Sequence, residues 1–142
     1  MEALGRAIAI ILCATGVCFC LIFYRTASVH RQKTETVRSM TKMYSQHVLE
    51  SKKVIREEWD LFLKELNVLG DYCAEITVYE RRRFENESGR IFLFSEWKRE
   101  EPEREFSDGS YVRVLVTEQE GGMFRTLFFG AGTTIISGGR IA

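Results

Sequence analysis

Apolar residues run without a charge from Ala7 to Tyr24, between Arg6 and Arg25. At about 18 residues the run is near the minimum for an α-helix that crosses a hydrocarbon core about 30 Å thick. Hydrocarbon offers no partners to backbone N–H and C=O groups, so such a run is expected to be helical. Phe23, Tyr24 and Arg25 place aromatics and a cation where the membrane interface would fall. A cleavable signal sequence is the competing reading, but Thr26-Ala27-Ser28, the nearest small-residue site, is a poor one. Retention as an anchor is therefore the expectation. Ala9, Cys13, Gly16 and Cys20 recur at steps of four, three and four, a stripe of small residues on one helix face. Such a stripe lets a second helix approach closely in lipid.

From Thr26 to Ser51 there is neither Pro nor Gly, and Val37, Met40, Tyr44 and Val48 share one helical face. This predicts that the anchor helix continues as an amphipathic stalk, about 65 Å long if unbroken from Arg6 to about Glu50. The stripe would pack either on the chain's own domain or on neighbouring copies. Ile55 to Leu69 predicts a second helix, with Trp59, Phe62, Leu63, Leu66 and Leu69 on its apolar side and Gly70 as a left-handed C-terminal cap. Glu57, Glu58 and Asp60 sit early in that helix and suit its dipole.

Beyond Gly70 the period becomes two. Tyr72 to Tyr79, Ile91 to Trp97 and Tyr111 to Thr117 read as strands. Met123 to Phe129 reads as a fourth strand, joined to the third through Glu120-Gly121-Gly122, and Thr133 to Ser137 as a short fifth. Arg81-Arg82-Arg83 reads as a solvated turn, and Lys98 to Asp108, with the only proline, Pro102, as an exposed loop. The expected fold is α+β: a transmembrane helix continuing as a stalk, a second short helix, and an antiparallel sheet of four to five strands. The parts would be residues 1–28 as anchor, 29–54 as stalk and 55–142 as a small domain.

Composition adds exclusions. Lys plus Arg and Asp plus Glu each number 20, so the formal charge is zero and a surface that neutralises many phosphates is not expected. Three of the four cysteines, Cys13, Cys18 and Cys20, fall in the apolar run, leaving Cys73 without a disulfide partner in the rest of the chain. Cys18-Phe19-Cys20 lacks further Cys or His ligands nearby for zinc. His30 and His47 lie in the stalk, far in sequence from any nucleophile-like serine or cysteine. The glycines around Gly130 and Gly138 lack the strand, loop and helix order of a phosphate site and read as turns. Asn86-Glu87-Ser88 fits a glycosylation acceptor, relevant only to export in a eukaryote. No catalytic residue, metal site, cofactor, nucleic-acid partner or small-molecule substrate is expected, and neither is an enzyme. Charge around the anchor is lopsided, because Arg25, Arg31, Lys33, Arg38 and Lys42 follow it while Arg6 precedes it. Alone, that bias places the C-terminal domain in the cytoplasm.

Met1-Glu2-Ala3-Leu4-Gly5-Arg6 with its apolar run, Glu58-Trp59-Asp60-Leu61-Phe62-Leu63 leading to Leu69-Gly70-Asp71-Tyr72, and the closing Ser137-Gly138-Gly139-Arg140-Ile141 carry a resemblance. On these segments the chain resembles small pilin-like proteins of the tight-adherence (Tad) type IV pilus systems of Gram-positive bacteria. The resemblance implies a structural or assembly subunit in the plasma membrane, with the lipid bilayer and other pilin-like subunits or pilus assembly proteins as partners. It also implies an extracytoplasmic sheet domain. Cleavage after Gly5 would put Ile10 at the fifth mature position, where the family carries glutamate. The alternative is a membrane-tethered binding or adaptor module facing the cytoplasm.

Overall fold

The computed structural model describes residues 2–86, 89–98, 101, 103–119 and 132–142. Helix α1 spans Glu2–Ser51 and α2 spans Arg56–Leu69, followed by strands β1 (Tyr72–Asn86), β2 (Gly89–Trp97), β3 (Tyr111–Glu118) and β4 (Thr134–Arg140). The apolar run does continue into the stalk as one helix, and the layout is α+β as expected. The chain forms two compact units, one ending at Thr36 and one running from Val37 to Ala142.

In the second unit every pairing is antiparallel, and the sheet order is β2-β1-β3-β4. Period-two alternation divides the sheet into faces. Val112, Val114 and Val116 of β3 lie opposite Val78, Ile76 and Ala74 of β1, and the three valines are fully buried. The helices cover this face. Val37, Tyr44 and Val48 of α1 and Trp59, Phe62 and Leu66 of α2 join the β3 valines, Ile135 and Ile141 in one buried cluster, with Met40 packed against it. The stalk stripe thus packs on the chain's own domain. Burial of each such side chain contributes about 1.5–3 kcal/mol, which is why a helix of modest intrinsic stability holds here.

Contact between α1 and β4 depends on small residues. Ser45 Oγ lies 2.7 Å from Ser137 Oγ. A Cβ on Gly139 would come within 3.1 Å of Leu49 Cδ1, and one on Gly138 would collide with the Val112 carbonyl oxygen. β4, Thr134–Arg140, overlaps the fifth strand expected at Thr133 to Ser137, starting one residue later and running on through Gly138 and Gly139 to Arg140. Met123 to Phe129 and the turn before it lie outside the described residues.

Three local expectations are corrected. Arg81, Arg82 and Arg83 are not a turn but part of β1, paired with Phe94, Leu93 and Phe92 of β2. The β1–β3 pairing stops at Tyr79↔Tyr111, and the Arg81 N–H donates to Ser110 Oγ at 3.0 Å instead. Gly70 is not left-handed: its φ of 154° and ψ of −173° belong to an extended region open essentially to glycine, and its N–H still donates to the Leu66 carbonyl at 3.2 Å. The 98–108 connection is not simply exposed. Phe106 is buried, edge-on to Trp97 with ring centroids 5.6 Å apart, and its N–H donates to the Lys52 carbonyl at 2.6 Å. From the same stretch Glu103 accepts the Arg56 N–H at 2.9 Å, capping α2, which has no cap from Ile55.

Leu66→Ala is expected to destabilise the second unit by about 2–5 kcal/mol, read as a lowered thermal midpoint in near-ultraviolet circular dichroism. In the same measurement Gly138→Ala should lower the midpoint strongly, whereas Gly16→Ala, whose added Cβ meets nothing within 4 Å, should leave it in place. Equal melting of the two glycine variants would contradict the β3–β4 approach described.

Candidate membrane anchor and interaction surfaces

In the first unit the residues from Ala3 to Ile22 are all exposed. An apolar helix surface exposed in this way is open to another medium. α1 contains the one helix stretch among the described residues that is long and apolar enough to cross a membrane. Its hydroxyls suit that use. Thr15 Oγ1 donates to the Ile11 carbonyl at 2.8 Å and Thr26 Oγ1 to the Ile22 carbonyl at 2.9 Å, so neither needs water. A buried hydroxyl without a partner would cost about 1–3 kcal/mol on the scale of protein substitutions. Ala9, Cys13, Gly16 and Cys20 are exposed on α1, where helical geometry keeps them on one face. Among the described residues no group of three or more His, Cys, Asp or Glu side chains could hold a metal ion.

Among the described residues of the second unit, two grooves lie beside its helices. The first, about 380 Å³, lies between α1 and α2 and is lined by Met40, Met43, Tyr44, Leu61 and Phe62, with His47, Glu58 and Glu65 as polar members. Its floor is aromatic. Tyr44 stacks on Phe62 at 4.6 Å between centroids, and Trp59 lies 5.4 Å from Tyr44 and 5.5 Å from Phe62. His47 Nε2 is 3.0 Å from Glu58 Oε2, which ties the two helices at the surface. Both partners are substantially exposed, so this tie adds at most about 1 kcal/mol to what the rings supply.

The second groove, about 450 Å³, is lined by Arg38 and Lys42 of α1 and by Thr134 to Gly138 of β4. From the sequence these cations figured only in the charge bias that follows the anchor. What that reading lacked was β4, roughly a hundred residues on, which folds alongside; the spacing of four between Arg38 and Lys42 was the only local signal.

Among buried charges, Glu80 on β1 lies 2.7 Å from Arg104 Nη2 and 3.4 Å from Arg82 Nη2, and Arg104 also reaches Glu101 at 3.1 Å. This network fastens the 98–108 connection to the sheet. A buried carboxylate that loses its cation is left uncompensated at a cost of about 3–5 kcal/mol. No family model matches the chain, and neither a curated protein nor a solved structure matches it.

Arg104→Ala leaves Glu80 with Arg82 at 3.4 Å and removes a cation that is itself more than a third exposed, so it is expected to destabilise the second unit by about 1–2 kcal/mol, and the double variant with Glu80→Gln to recover part of that loss in urea unfolding. Simple additivity of the two substitutions would rule out the direct pairing.

Proposed function

We propose that the chain is a single-pass membrane protein without catalytic activity, an assembly subunit of a pilus or secretion-like apparatus of the kind its sequence resembles. The supporting observation is α1 itself: an apolar, charge-free stretch exposed on every side, followed along the same helix by a one-sided stripe buried in an α+β unit. The same helix thus carries both a lipid-compatible stretch and residues of the folded second unit. Its small-residue face at Ala9, Cys13, Gly16 and Cys20 would serve contact with other membrane helices, and the sheet domain would stand outside the cytoplasm. A second reading, an adaptor with a cytoplasmic domain, is favoured by Arg25, Arg31, Lys33, Arg38 and Lys42 on the C-terminal side of the apolar stretch.

Cys73 is the one cysteine outside the apolar stretch, and it is partly exposed. In a variant with Cys13, Cys18 and Cys20 changed to alanine, an impermeant thiol reagent should label Cys73 on intact cells. Labelling confined to lysed cells would establish the adaptor orientation instead. Gly16→Leu should leave the chain in the membrane fraction while reducing its co-purification with other pilin-like subunits. Undiminished recovery of those subunits would remove the small-residue face from the account.

A further inference from the structure

Where the apolar stretch of α1 ends, one face of the helix changes character. Tyr24, Ala27, Ser28 and Arg31 line a cleft of about 170 Å³. Lying three, four and seven residues beyond Tyr24, the other three share its helical face. Val17 and Leu21, both exposed, continue that face back into the apolar stretch. Over about 21 Å of helix axis the surface therefore passes from alkyl side chains through a phenol and a hydroxyl to a guanidinium.

The polar groups of the cleft are not spent within the chain. Thr15 and Thr26 donate their hydroxyls to carbonyls four residues back, whereas among the described residues Ser28 Oγ has no hydrogen-bond partner and Arg31 no ion pair. Side chains on a helix lean toward its N-terminus, so Arg31 extends over Ala27 and Ser28, toward the apolar end. Ala27 leaves room beneath it. Charge then narrows the ligand. Between Glu2 and Glu35 there is no carboxylate, while Arg25 and Arg31 both fall in that interval. A cationic headgroup would meet like charge there and nothing to neutralise it; a phosphodiester would meet donors.

We infer that the face of α1 from residue 17 to residue 31 binds one anionic phospholipid, its acyl chains along Val17 and Leu21 and its phosphodiester between Ser28 and Arg31. The guanidinium supplies paired N–H donors to two phosphate oxygens, and Ser28 Oγ supplies a further one. Tyr24, 73% exposed, lays its ring at the level of the glycerol esters, where amphipathic aromatics are favoured. The ligand class is a phosphodiester lipid of net negative charge. The inference rests on the apolar stretch being a membrane anchor, and on neither the pilus assignment nor the side on which the domain stands.

The test offers the full chain, in a mild detergent, equal amounts of phosphatidylglycerol and phosphatidylcholine, and counts bound lipid by native mass spectrometry. Phosphatidylglycerol should be retained at least about fivefold more often. Arg31→Gln should remove that preference. Arg25→Gln makes the same charge change about 100° around the helix from Tyr24, outside the cleft, and should leave most of it. Ala27→Leu, which fills the floor of the cleft without altering charge, should lower retention. Soluble glycerol phosphate in large excess should not displace the lipid, because it lacks the acyl chains. Equal losses in the two arginine variants would reduce the effect to general attraction by basic charge and overturn the site. Equal retention of the two lipids, an unaffected Ala27→Leu variant, or displacement by glycerol phosphate would do the same. Alkaline carbonate extraction separates this inference from the anchor beneath it. Release of the chain from membranes would overturn both, whereas a retained chain without lipid preference overturns the lipid site alone.

Discussion

Closure of the α1 stripe over the sheet is the interaction on which the second unit depends. The buried valines of β3 form a continuous apolar row that has no stable existence in water, and the helices remove it from solvent. Magnitudes identify the dominant effect. Val37, Tyr44 and Val48 each contribute on the scale of about 1.5–3 kcal/mol by burial, while the Ser45–Ser137 hydrogen bond contributes about 1 kcal/mol net. Burial fixes α1 against the sheet. The hydrogen bond adds to a contact that the Ser45 hydroxyl does not need for satisfaction, because it also donates to the Lys42 carbonyl at 2.9 Å.

Polar groups inside the unit follow the same logic of satisfaction. Thr41 Oγ1 returns to the Val37 carbonyl at 2.8 Å, which lets a β-branched polar residue occupy the fully buried face of a helix. Ser110 is fully buried, and its hydroxyl takes the Arg81 N–H at the point where β3 can no longer do so. This allows β1 to run on, from Glu80 to Asn86, paired among the described residues with β2.

Much of this was legible in the sequence, and the exceptions share a cause. The stripe Val37, Met40, Tyr44, Val48 and the alternation of Tyr111 to Thr117 are local periodicities, and local periodicity carries directly into the helix and strand observed. Arg81-Arg82-Arg83 misled because a charged run signals solvent, yet a strand paired on one edge with both faces partly open accommodates charge. Phe106 was hidden by its acidic surroundings; a lone large aromatic in a charged connection was the available clue that the loop turns inward. The small-residue face of the anchor was legible as a pattern, whereas the groove beneath Arg38 and Lys42 was not, because no local pattern links α1 to Thr134–Gly138. Gly138 shows the same limit. Its neighbours suggested a turn, and the requirement for a missing side chain arises only from the Val112 carbonyl across the ladder.

The Ser45–Ser137 contact also has a consequence in time. It joins positions 92 residues apart, and Leu49 meets Gly139 over a similar interval. The apolar stripe of α1 is thus made early in synthesis; α2 covers its Tyr44 soon after, but the side that faces β4 receives its cover only when the last strand has emerged. Loop closure on that scale is slow compared with helix formation. During the interval the stripe is a sticky helix face waiting on a distant segment. Assembly of this protein is governed less by how fast its helices form than by how long its first one can be kept from the wrong companion.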